Sequence, residues 1–201
     1  MTALREIEQD LDWREAEMAV LRVLLANGVL SDREKFMLFR AGWALLYAHF
    51  EGFCKFALTV YYDSIKSLGK LNCDLAPLTQ VFALSSPLKI IRSLPPAELL
   101  GAIQSFEIDQ LQKPAVFPDV NTDSNLWPAT LEKLLKDADL TVDALNKHNR
   151  KLGTLVSRRN KIAHGERDLI TEYDYFISYE EAVKSVMIEL AIRIDDKLSS
   201  L

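Results

Sequence analysis

Only two cysteines, Cys54 and Cys73, occur in a chain of 201 residues, too few for a disulfide framework and in keeping with a reducing interior. The three histidines, His49, His148 and His164, share no metal-ligand spacing with cysteines or carboxylates, so no metal or other cofactor is expected. Seven glycines in all leave no Gly-rich phosphate-binding loop. No uncharged apolar run reaches the roughly 18 residues that crossing a bilayer requires. The acidic, periodic stretch 1–12 does not read as a secretory signal. Strand-like alternation is also scarce, residues 174–178 being the one short candidate. What is present is the balance of a soluble globule: 49% hydrophobic and 26% charged residues with a formal net charge of −5. The length fits one domain over residues 1–201, carrying an insertion. A cytoplasmic protein is the expectation.

The period that dominates is helical. Between residues 4 and 26, Leu4, Ile7, Leu11, Ala19, Leu21, Leu24 and Leu25 recur at spacings of a 3.6-residue turn, and Asn27-Gly28 closes the segment. Ser31-Asp32-Arg33-Glu34 reads as a capping box opening a second helix. No proline or turn signal follows until Gly69, and residues 36–62 are apolar nearly all round, as in the central member of a bundle. Six of the seven prolines lie between Gly69 and Trp127. That stretch predicts short helices near 88–94 and 96–108, loops, and a polar segment near 119–125. Helices over about 128–138 and 142–164 follow, the second stopped by Gly165. Ser178-Tyr179-Glu180-Glu181 reads as a further capping box, opening a last helix with Val183, Val186, Met187, Leu190, Ile194 and Leu198 inward. The expected class is all-α: a four-helix bundle with an irregular helical and loop insertion over about 69–127.

Charge is unevenly spread. Residues 147–167 hold seven basic side chains (Lys147, Arg150, Lys151, Arg158, Arg159, Lys161, Arg167) and one acid, Glu166; that segment is +6 and the remainder −11. A basic helix on an acidic body attracts a polyanion locally. A solvated face braced by i, i+4 ion pairs is the plainer alternative, but the acids it needs are missing. In the second helix only Arg40, Glu51 and Lys55 are charged between residues 36 and 62, with His49 ionisable. At about 100° per residue, Arg40, Tyr47, Glu51, Lys55 and Tyr62 form one narrow stripe, and His49 points the other way. Buried charge needs a partner. Glu51 and Lys55 can pair with each other, or the stripe can face the basic helix with Glu51 orienting Arg159 or His164. His49 reads as a core histidine and His148 as uninvolved.

The basic helix ends in Ser157-Arg158-Arg159-Asn160-Lys161-Ile162-Ala163-His164-Gly165-Glu166, which contains Arg-Asn-x-x-x-His. Arg159 precedes His164 by four intervening residues and Arg158 by five. With "LGTLV" before it, "YAHFEGFCK" in the second helix and "SNL" at 124–126, the sequence resembles the HEPN superfamily, in the MAE-like branch found beside defence and toxin genes. The resemblance spans the second helix and everything from about residue 121 onward. It implies a HEPN-type bundle, a glutamate-x3-lysine element at Glu51 and Lys55, and a homodimer in which two Arg-x4-His motifs face each other. On an ideal helix Arg159 lies some 140° round and about 7.5 Å along the axis from His164, so the two cannot stack as neighbours. The length of the arginine side chain, a loosened last turn or a second copy of the helix is needed to focus both on one phosphate, and the dimer that the resemblance implies supplies the last.

Arg, Asn and His around a phosphodiester suit metal-independent RNA cleavage. His164 would move a proton at the 2′-OH or the leaving oxygen, Arg159 would stabilise the phosphorane, and Asn160 would hold His164 or the phosphate. Glu51, Lys55 and Arg158 are the expected supports, and Lys161, Lys151, Arg150 and Lys147 the RNA-binding cations. The 2′-OH requirement makes RNA the substrate. A toxin or antiviral defence effector is the reading in the cell, with an inhibitor or antitoxin protein as a further partner. A noncatalytic RNA- or nucleotide-binding module and a structural partner of a neighbouring gene product are the alternatives. Some HEPN toxins carry a tyrosine two places after the motif histidine, where a partner modifies it; here that place is Glu166.

Overall fold

A computed structural model describes residues 2–26, 28–167 and 171–201. Asn27 of the expected first turn lies outside the described residues. Eight α-helices are present among them: α1 (Ala3–Ala26), α2 (Asp32–Ser67), α3 (Pro77–Ala83), α4 (Ser85–Arg92), α5 (Pro96–Phe106), α6 (Pro128–Asp137), α7 (Asp143–Ala163) and α8 (Tyr173–Ser199). Extended pairing among the described residues is limited to one isolated bridge, Leu71 to Pro114. The class is all-α, as the periodicity requires.

α2 is the axis of the bundle, with α1, α7 and α8 packed round it. Its start is the expected box: the Ser31 N–H donates to Glu34 Oε2 at 2.8 Å and the Glu34 N–H to Ser31 Oγ at 3.4 Å. Trp43, Phe50, Phe53 and Leu58 are fully buried along it. Close approach is allowed by Gly42, where an added Cβ would stand 3.1 Å from Leu21 of α1 and 3.4 Å from Phe176 of α8. All three helices therefore meet at a position that only glycine fits without a shift.

The second expected capping box is not formed. α8 begins at Tyr173, five residues earlier, and takes in the candidate strand 174–178. Ser178 Oγ donates back to the Tyr175 carbonyl inside the helix. Phe176 packs edge-on against Trp43 and Phe39 with ring centroids 5.1 and 6.1 Å away. Glu180 is buried and paired with Arg22 of α1. Burial of Phe176, Tyr179 and Val183 at helical spacing outweighs the local Ser-x-x-Glu pattern.

Residues 69–127 form short helices, as expected, but α3 was not foreseen. Pro77 supplies its first turn, and its cap comes from far along the chain. Asp139 Oδ2 accepts the N–H groups of Leu78 (3.0 Å) and Thr79 (2.7 Å) and the Thr79 hydroxyl (2.9 Å). Tyr62, near the end of α2, holds this region through Phe117 and Phe82, with centroids 4.6 and 4.9 Å away.

Candidate active site

The motif helix α7 is held at both ends. At its start, Glu189 of α8 accepts the N–H groups of Asp143 (2.9 Å) and Ala144 (2.8 Å), and Arg193 grips the same carboxylate at 3.0 Å. Burial pushes the Glu189 carboxyl up, but the two amides and the guanidinium together hold it below its ordinary value. At the other end Gly165 adopts φ +81. The Gly165 N–H donates to Ile162 O at 3.1 Å and the Glu166 N–H to Lys161 O at 2.9 Å, the Schellman stop that glycine permits. Arg40 of α2 donates to the carbonyls of Ile162 (3.1 Å) and Glu166, placing a cation at the negative end of the helix.

Arg158 and Arg159 leave this helix in different directions. Arg158 enters an aromatic recess toward α8, 4.6 Å above Trp43 and 5.4 Å above Tyr175, and donates to the Tyr175 hydroxyl at 3.3 Å. Its Nε and Nη1 are buried without an acceptor. Arg159 turns to α2: its guanidinium lies 4.1 Å above the Tyr47 ring, 3.6 Å from Glu51 Oε2, and donates to Asn160 Oδ1 at 3.0 Å. Tyr47 is itself fixed, since the buried Leu126 N–H donates to its oxygen at 2.8 Å. Burial, with the Glu51 charge adding to it, pushes the Tyr47 hydroxyl up to about 12 against the opposing Leu126 bond, so the ring is neutral. Asp123 and Ser124 reach this geometry in left-handed conformations, φ 52 and 65, which is how the "SNL" stretch brings Leu126 beneath the site.

The polar stripe of α2 thus meets the basic helix along part of its length. Arg40, Tyr47 and Glu51 all contact α7. Lys55 is exposed, and among the described residues no ion pair joins it to Glu51. Tyr62 belongs to the aromatic contact with residues 82 and 117 instead. His164 is the capping residue of α7 and is exposed. No hydrogen bond or ion pair among the described residues joins its ring to Arg159 or Asn160. One chain therefore holds its arginine inward, against α2, and leaves its imidazole at the open helix end.

A family model described as HEPN_MAE_28990-like HEPN matches residues 3–200. The chain is a HEPN protein of the MAE-like branch. No curated protein and no solved structure gives a match. The match also takes in α1 and residues 69–120, which the resemblance in sequence left out. HEPN domains are commonly ribonucleases, and they often bind RNA and dimerise.

The remaining basic residues of this HEPN protein are divided. Lys147 and Arg150 are exposed, while Lys151 is turned toward α8, donating to Ser178 O at 2.9 Å over the Tyr179 ring. Lys161 is half-buried. His49 is a core histidine, as its position opposite the stripe requires. Its Nδ1 lies 3.3 Å from Arg14, and its Nε2 lies 2.9 Å from Glu17. Burial, then the Arg14 charge, holds it below its ordinary value. His148 is likewise lowered, by burial and then Lys147 and Lys151. The Asp10–Arg14–His49 and Arg22–Glu180 contacts went unread in the sequence; the i, i+4 spacing of Asp10 and Arg14 was the one local signal. Among the described residues no group of three or more His, Cys, Asp or Glu side chains is placed to hold a metal ion, and no helix is long and apolar enough to cross a membrane.

Proposed function

We propose that this HEPN protein is a metal-independent endoribonuclease whose active form is a homodimer with two Arg-x4-His motifs at one cleft. One observation carries the reading: α7 is pinned at both ends so that Arg159 is gripped by Tyr47, Glu51 and Asn160 while His164 is exposed at the same helix end. A positioned guanidinium is what phosphorane charge requires, and an accessible imidazole can transfer protons near neutral pH. The ribose 2′-oxygen attacks phosphorus as its proton passes to one imidazole, and the P–O5′ bond breaks as the second imidazole protonates the leaving oxygen. The products are a 2′,3′-cyclic phosphate and a 5′-hydroxyl. Each chain supplies one His164, so acid and base come from two copies. Asn160 keeps Arg159 aimed, Glu51 neutralises it between turnovers, and Arg158 braces the helix from behind. Lys147 and Arg150, with Lys161, Lys151 and Lys55, draw the flanking phosphates. In the cell this activity serves a toxin or antiviral defence effector restrained by an inhibitor protein.

The test is incubation of the purified protein with assorted RNAs in EDTA beside Arg159→Ala and His164→Ala. Cleavage abolished in both variants, with fold and assembly intact, is the expected result. Cleavage that persists in both, or that requires Mg²⁺, overturns the reading. The engagement of Arg159 by Glu51 and Asn160 also suits a noncatalytic RNA-binding module, which would show salt-sensitive RNA affinity and no cleavage under any condition.

A further inference from the structure

Residues 85–111, which comprise α4, α5 and the π-helical turn Glu107–Leu111, contain no buried residue. Yet this segment of 27 residues is rich in large apolar side chains. Ile90 is 63% exposed, Leu100 58%, Ile103 59% and Ile108 76%. Along α5, Leu100, Gly101 and Gln104 fall within about 100° of one another on a helical projection, with Ile103 beside them and Ile108 following in the π-helical turn. Scattered surface leucines need no explanation, but a whole helical hairpin without a buried side chain does. Gly101 is a second clue. It sits in a helix interior, where glycine is unfavourable, and an added Cβ would meet nothing within 4 Å. Nothing within the chain calls for glycine there, whereas close approach by another helix would.

The charges indicate which helix. α4 carries Lys89 and Arg92 and no acid; α5 with its π turn carries Glu98, Glu107 and Asp109 and no base. All five are exposed, and none forms an ion pair among the described residues. An anionic membrane or RNA would be repelled by the acidic helix. A hairpin with one basic and one acidic limb is, however, complementary to its own two-fold copy. We propose that residues 85–111 are a self-association hairpin: two copies of the chain pair by this segment, α4 of each against α5 of the other, closing a four-helix bundle over Leu100, Ile103, Ile108 and Ile90. A segment of this length matches the roughly 20–30 residues that each side of a standard interface contributes. The hairpin is attached beyond the far end of α2 from Arg40, about 40 Å along a straight helix. The contact is therefore separate from one that would juxtapose the motifs, and it stands whether or not they cleave RNA.

The test is sedimentation equilibrium of the full chain over a concentration series. Leu100→Glu with Ile103→Glu, at positions more than half exposed, is expected to halve the mass of the assembly without changing its circular dichroism. Charge reversal gives the sharper arm. Lys89→Glu with Arg92→Glu in one variant, and Glu98→Lys, Glu107→Lys with Asp109→Lys in another, should each weaken self-association at least about 10-fold through like charges facing each other. Mixed one to one, the two should pair about as tightly as the unmodified chain, because both α4–α5 contacts then join opposite charges. A chain that sediments as a monomer throughout, an apolar-face variant of unchanged mass, or a mixture that fails to recover overturns the proposal; a monomeric chain would assign the face to a different protein.

Discussion

Replacing Tyr47 by phenylalanine separates two jobs that one side chain performs. The Tyr47 oxygen accepts the Leu126 N–H at 2.8 Å, and both residues are shut off from water, with exposures of 1% and 0%. Without that oxygen the amide is left unpaired in an apolar setting, which costs about 1–3 kcal/mol. For a protein of this size each kcal/mol moves Tm by about 2–4 °C, so the midpoint falls between about 2 and 12 °C, read by urea titration and thermal scanning. The phenylalanine ring remains beneath Arg159 and keeps the cation–π contact, so RNA cleavage at a permissive temperature stays within about threefold of the parent. Tyr47→Leu removes the ring as well, and cleavage should then fall roughly 2–30-fold. A phenylalanine variant as stable as the parent would refute the role given to the Leu126 bond. A leucine variant that cleaves at the parental rate would refute the stacking.

Arg158→Met keeps the apolar stem above Trp43 and removes a guanidinium that has two unpaired buried donors. It should therefore retain cleavage and change stability by no more than about 1 kcal/mol, and loss of cleavage in a folded variant would hand the motif to this arginine. Asp139→Ala loses the three hydrogen bonds that cap α3 and places alanine at φ +51, a loss of about 2 kcal/mol by denaturation, while Asp139→Asn, which tolerates that backbone and keeps an acceptor, should cost less than half as much. Glu189 titrates below its ordinary value, so the folded state binds fewer protons than the unfolded one near that range, and the stability it contributes is present above pH 4.5 and lost as the pH falls through the lower folded value. Accordingly Glu189→Gln should be less stable by about 0.5–1 kcal/mol at pH 7, with the two unfolding curves converging as the medium becomes more acidic than pH 4.5; curves that stay parallel would remove the carboxylate from the capping of α7.

Much of this molecule could be read from the chain alone, because the relevant physics acts within a turn or two. The length of α2 follows from its unbroken apolar run, its start from the Ser31–Glu34 box, and the end of α7 from Gly165. The stripe of Arg40, Tyr47 and Glu51 and its encounter with the basic helix were legible too, because burying those charges demands a counterpart and the basic helix is where one lay. The same local logic failed at Ser178, where an identical box pattern lies inside α8, and at α3, whose cap is 60 residues away in Asp139. Nor could spacing separate Arg158 from Arg159. Adjacent residues on a helix differ by about 100° in direction, and what each direction meets, an aromatic recess or a carboxylate, is settled by how α2 and α8 pack. Arg22 finds Glu180 across 158 residues and Leu126 finds Tyr47 across 79. Periodicity and capping are properties of neighbours in the chain, so the sequence by itself determined the long helices, apart from the start of α8, and the charges they carry. Burial and pairing depend on neighbours in space, so only the tertiary structure decided which arginine meets the aromatic recess of Trp43 and Tyr175 and which meets Tyr47, Glu51 and Asn160.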